Sequence, residues 1–104
     1  MNIVRQDSGN GVTRLVLDGE LDLATAGLLR EQVDQVVAGG RPRRLVIDLA
    51  RVSFCDSTGV GALVDAHDTT TRHGIALHTS NPRGMTLRVL QVTGALAALE
   101  AAEG

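Results

Sequence analysis

A strand-to-helix junction near the middle of the chain constrains its fold more than any other feature. Leu45, Val46, Ile47 and Leu49 make a short apolar run, and Val52 and Phe54 continue its spacing. Such a run reads as a strand covered on both faces. Val60, Leu63, Val64 and His67 then recur at helical intervals. Between the two patterns stands Phe54-Cys55-Asp56-Ser57-Thr58-Gly59-Val60-Gly61. Asp56, Ser57 and Thr58 are residue types whose side-chain oxygens accept the unpaired amide hydrogens of a first helical turn. The junction therefore predicts a hydroxyl that is exposed, oriented by a rigid scaffold and set in the positive field of a helix start. Ser57 is there either as an ordinary cap or as a chemically addressable group.

The flanking segments supply the neighbours that such a strand needs. Ile3 to Arg5 and Val12 to Asp18 read as strands, and Ser8-Gly9-Asn10-Gly11 joins them as a hairpin because Gly and Asn tolerate positive φ. Gly19-Glu20-Leu21-Asp22 reads as a loop. Ala24 to Ala38 reads as a helix with Leu29, Val33, Val36 and Val37 on its buried face, ended by Gly39-Gly40-Arg41-Pro42. Arg44 to Leu49 is the third strand, Thr58 to Arg72 the second helix and Ile75 to Thr79 a short strand. Asn81-Pro82 opens a third helix to about Thr93, with Met85, Val89 and Val92 on one row and Leu87 and Leu90 on the next. Ala95 to Glu103 reads as a weak terminal helix.

The order β-β-α-β-α-β-α predicts an α/β fold: a small mixed sheet, an N-terminal hairpin followed by βαβα units, covered by helices. The chain has 104 residues, no internal repeat and no dividing linker, so one domain over residues 1–104 is expected.

Composition narrows the function. Phe54 is the only aromatic residue and the net charge is −2, which argues against base stacking and against a field that gathers phosphate backbones. Direct nucleic-acid binding is not expected. All ten basic residues are Arg, so Lys-based chemistry is excluded. Cys55 is the only cysteine, which rules out an internal disulfide or a cysteine metal cluster. The start, Met1-Asn2-Ile3-Val4-Arg5-Gln6-Asp7, has no signal-peptide pattern, and no apolar run reaches membrane-spanning length. A cytoplasmic protein without membrane insertion is expected.

Serine catalysis needs a base and a pair of oxyanion donors. None of His67, His73 and His78 stands in a recognisable relation to Ser57. A Gly-x-Ser-x-Gly elbow fails at Cys55, and an aspartic-protease signature fails because Thr58 follows Ser57. No catalytic residue is expected, and the histidine spacings match no zinc pattern, so neither metal nor cofactor is expected. Gly59 and Gly61 do not complete a phosphate loop. In a first helical turn each costs roughly 1 kcal/mol relative to Ala, so they permit close approach, either to the sheet or to a partner. Arg41-Pro42-Arg43-Arg44 reads as a solvated loop. Asp18, Glu20 and Asp22 read as another, with Asp22 or Thr25 capping the first helix. If the second and third strands pair, that acidic loop also forms one polar patch with Asp56 and Ser57.

Three segments in order resemble a family. Gly19-Glu20-Leu21-Asp22 before a helix, Leu45-Val46-Ile47-Asp48-Leu49, and Phe54 to Gly61 resemble the STAS-domain anti-sigma factor antagonists of bacteria. Pro82 to Gly94, with Leu90 and Thr93-Gly94, is similar as well. The resemblance implies a mixed sheet with helices and a non-enzymatic partner switch. In that family an anti-sigma factor that is also a serine kinase binds the unmodified antagonist and releases its sigma factor. The kinase then phosphorylates the first hydroxyl residue after the aspartate, here Ser57 with Thr58 as neighbour, and a serine phosphatase restores it. Asp22 and Asp56 match the family's acidic positions beside that site, and Thr58, Gly59 and Gly61 complete the partner-facing segment. Cys55 stands where the family often has Met, and both are soft and apolar. The alternative is a STAS scaffold or accessory subunit in a stress-signalling or lipid-transport complex with no sigma factor.

Overall fold

The computed structural model describes residues 1–40 and 42–101. The elements follow in the order β1 (Asn2–Asp7), β2 (Val12–Leu21), α1 (Ala26–Gly39), β3 (Arg44–Cys55), α2 (Ser57–Arg72), β4 (Ala76–Ser80), α3 (Gly84–Thr93) and α4 (Ala95–Ala101). They build an α/β fold around one mixed sheet of order β1-β2-β3-β4. β1 and β2 form the antiparallel hairpin, while β2–β3 and β3–β4 are parallel, with Leu15 opposite Ile47 and Ile47 opposite Thr79.

All four helices bury their apolar residues in a single cluster with the same sheet face. Leu29, Val33 and Val36 of α1, Leu63 and Ala66 of α2, Leu90 of α3 and Leu99 of α4 join Leu15, Leu17, Leu45, Ile47 and Leu77 there. β3 is interior to the sheet, but helices cover only one of its faces, not both as its apolar run suggests. On the other face Arg14 pairs with Asp48 at 2.9 Å and donates to the Ser80 hydroxyl at 3.2 Å, and Val46 is buried outside the main cluster.

Two strands run further than the sequence suggests. The expected loop over Gly19 to Leu21 is the end of β2, and β3 continues past Leu49 to Cys55. Register explains both. Val16 pairs with Asp48 but Asp18 with Arg51; Gly19 pairs with Val52 but Glu20 with Phe54. β3 therefore carries an extra residue at each step, and each such bulge turns the strand. Its inward residues become Leu45, Ile47 and Leu49, then Val52, then Cys55. Phe54, inward by simple alternation from Val52, is instead 41% exposed.

At the other end of the chain, Leu90 and Thr86 are the buried residues of α3, and the Thr86 hydroxyl donates to the Val52 carbonyl at 3.4 Å. Met85 and Val92 of the expected apolar row face outward, 60% and 78% exposed. The terminal helix forms, with Ala95 and Leu99 buried. Its expected extension to Glu103, like Arg41 of the basic loop, lies outside the described residues. No helix among the described residues is long and apolar enough to cross a membrane.

Candidate functional site

β2 and β3 run in parallel and end side by side, with Leu21 opposite Cys55. Asp22 and Asp56 are the next residues on each strand, so the topology sets the acidic loop beside the junction. A backbone bond fixes the two: the Asp56 N–H donates to the Leu21 carbonyl at 3.2 Å. Gly59 then packs onto that same carbonyl. A Cβ at Gly59 would collide with the Leu21 oxygen and lie 2.9 Å from the Cys55 sulfur. For Gly59, the close approach is thus to the sheet.

Asp56, not Ser57, caps α2. Its backbone is extended, its Oδ1 accepts from the Gly59 N–H at 2.9 Å, and its carbonyl accepts from Val60 N–H at 3.0 Å. Ser57 is the first helical residue, one position before the expected start at Thr58. It is exposed, and its hydroxyl takes no hydrogen-bond partner among the described residues. The fold supplies a rigid seat for this hydroxyl and makes no use of it. Ser57 and Gly61 stand four residues apart on one helical face. A Cβ added at Gly61 would meet no atom of the chain within 4 Å, in contrast to Gly59.

Asp22 shapes its own loop. Its Oδ1 accepts from Ala24 N–H at 3.0 Å, and its carbonyl accepts from Ala26 N–H at 2.8 Å as α1 begins. Thr25 locks the turn, its hydroxyl accepting from Asp22 N–H at 2.9 Å and donating to the Glu20 carbonyl at 2.7 Å. The second Asp22 oxygen has no partner among the described residues, and the residue is half-buried. α1 starts at Ala26 rather than Ala24 because the two intervening residues complete this turn.

Sequence reasoning missed the apolar residues around this acidic centre. Leu23, at the tip of the turn, is 79% exposed, and Phe54 stands just before the junction. Leu23 carried a readable signal, since it is out of phase with the buried stripe of α1. Phe54 carried none, because its direction depends on the bulges. Cys55 is buried against Gly59, and burial, helped by the neighbouring Asp56 carboxylate, pushes its thiol up to about 11. Among the described residues no three His, Cys, Asp or Glu side chains gather as metal ligands would.

A one-sided mixed sheet carrying an exposed serine on a β3–α2 junction defines a class. The STAS domain model matches residues 4–101, and the chain belongs to the STAS domain family. Over 54 residues it is 48% identical to the anti-sigma-F factor antagonist RsfB of Mycobacterium tuberculosis, a stretch that takes in 52% of this chain and 43% of that protein. The match thus spans less than half the length of that relative. The chain is also 32% identical over 76 residues to an anti-sigma-B factor antagonist of Bacillus subtilis, covering 73% of this chain and 68% of the other. In three dimensions it is similar to an anti-sigma factor antagonist from Mycobacterium paratuberculosis, with a TM-score of 0.78 and 30% identity over 94% of this chain and 81% of that one.

Proposed function

We propose that this chain is an anti-sigma factor antagonist, a binding module rather than an enzyme, switched by phosphorylation of Ser57. The observation that carries the reading is the Ser57 hydroxyl itself: exposed, at the first residue of α2, and unused by the fold because Asp56 does the capping. In this reading an anti-sigma factor with serine kinase activity docks over Asp22, Asp56, Ser57, Thr58 and the bare backbone at Gly61, and gives up its sigma factor. Gly59 supports that surface from beneath by letting α2 sit against β2. The kinase then moves the γ-phosphoryl group of ATP to Ser57 Oγ, which loses its proton, and ADP departs. A serine phosphatase hydrolyses the ester and restores the hydroxyl. The reading sets the protein in the bacterial cytoplasm.

Physical chemistry supports a switch that needs no refolding. A phosphoserine adds about −1.5 to −2 charges at neutral pH. At an exposed helix start that charge is favourable by roughly 0.3–1 kcal/mol. In an interface that had covered a neutral Ser57, the same charge lies beside Asp56 and Asp22. Burying it unpaired costs on the order of 3–5 kcal/mol, more than a hundredfold in affinity. The fold keeps its shape while the partner is expelled.

Phosphopeptide mass spectrometry after incubation with the anti-sigma kinase and ATP tests the assignment. Label is expected on Ser57 alone and is expected to vanish in Ser57→Ala. Equal label on Thr58, or undiminished label in that variant, would sink it.

A further inference from the structure

A specific interface takes about 800 Å² and roughly 20–30 residues from each side, more than Ser57 and the half-buried Asp22, Asp56 and Thr58 beside it present. The surface that continues along β3 has the composition of an interface. β4 stops at Ser80, opposite Asp48, so the remainder of β3 has no strand on that side and α3 lies against it instead. Between them runs a shallow, open groove of about 410 Å³, lined by Ala50–Ser53 and by Arg83–Met85. Its lining reaches Ser53, the residue before Phe54 on the strand that leads to the Ser57 junction.

Two backbone groups of this groove are already taken by side chains. The Ala50 N–H donates to Asp48 Oδ1 at 3.0 Å, and the Val52 carbonyl accepts from the Thr86 hydroxyl. Met85 reaches from the groove onto the outward face of α3, where Arg88 and Val92 follow at helical spacing and are exposed. Arg51, Arg83 and Arg88 are exposed cations along it. Arg51 makes only a loose 3.8 Å pair with Asp18, and Arg83 and Arg88 have no carboxylate partner among the described residues.

We infer that this groove and the Met85–Arg88–Val92 row form the second half of the partner surface. They take an acidic, apolar segment of the same anti-sigma partner that docks on Ser57, and the inference rests on that reading. Met85 adapts to apolar side chains of varied shape, and the arginines pair with carboxylates. The two halves carry opposite charge, acidic at Asp22 and Asp56 and basic along the groove, which fixes the partner's orientation. A second copy of the chain fits poorly. In a two-fold contact the patch meets itself, and arginine would face arginine.

Calorimetric titration of the full chain with its anti-sigma factor tests this, using wild type, Met85→Asp, Arg83→Glu and Ser57→Asp. Met85→Asp and Arg83→Glu are each expected to weaken binding about tenfold or more at unchanged melting temperature, and the Arg83→Glu loss is expected to shrink as salt rises. If Ser57→Asp abolishes binding while both groove variants bind like wild type, the groove is overturned and the Ser57 reading stands. If Ser57→Asp binds like wild type, or wild type does not bind, the functional reading fails and the groove's partner fails with it. Light scattering on the free chain closes the remaining route: a dimer that Met85→Asp dissociates makes the groove a self-contact and overturns the inference.

Discussion

At the scale of single residues, the two glycines of the α2 start separate fold from function. Gly59 is pressed against the Leu21 carbonyl and the Cys55 sulfur, while Gly61 faces open space. Gly59→Ala forces backbone to move and is expected to destabilise by about 1–3 kcal/mol, as overpacking does. Gly61→Ala is expected to gain up to about 1 kcal/mol from helix propensity and yet to weaken partner binding. Urea melts and one titration read both effects; a Gly61→Ala variant that binds like wild type removes Gly61 from the interface. Cys55 sits in the same contact. Its thiol, pushed up from 9.0 to about 11 chiefly by burial, stays protonated near neutrality. Iodoacetamide is expected to label it only on unfolding. Because the unfolded chain ionises first, stability is expected to fall as pH climbs from about 9 towards 11. Rapid labelling of the native protein at pH 8 would contradict this environment.

At the scale of elements, the caps carry the argument. Asp56→Ala removes the bond to Gly59 N–H and is expected to cost about 1 kcal/mol, measured by chemical denaturation. Asp22→Asn keeps an oxygen for Ala24 N–H, so stability is expected to hold while partner affinity falls and loses salt dependence. Unchanged affinity at two salt concentrations confines Asp22 to its turn. The elements also show what a sequence can and cannot carry. The buried face of α1 was legible because Leu29, Val33, Val36 and Val37 repeat at helical period, and the exposed position of Ser57 at a helix start was legible because capping residues mark such a start. The far half of β3 was not. Arg51 and Ser53 interrupt its alternation, and the two bulges that redirect it depend on pairing with β2, a long-range fact that local pattern does not encode. Gly19 hid the end of β2 in the same way: its φ of 129° looks like a turn residue but sits inside the strand. Of the row expected on α3, Val89 packs against the core while Met85 and Val92 face outward, because Thr86, not Met85, meets β3.

At the scale of the whole molecule, the helices crowd one sheet face and the β2 and β3 ends converge on one rim, so the serine rides on a scaffold that has no need to move. On this scaffold the proposed switch acts on the interface, and charge added at Ser57 is expected to be tolerated by the free chain. The most direct measurement compares the unmodified chain with the chain phosphorylated at Ser57, each titrated into the anti-sigma factor and each melted alone. The phosphorylated form is expected to bind more than about a hundredfold more weakly, with a melting temperature close to that of the unmodified chain. Equal affinities, or a lost affinity matched by a collapsed melting temperature, would contradict a switch located at the interface.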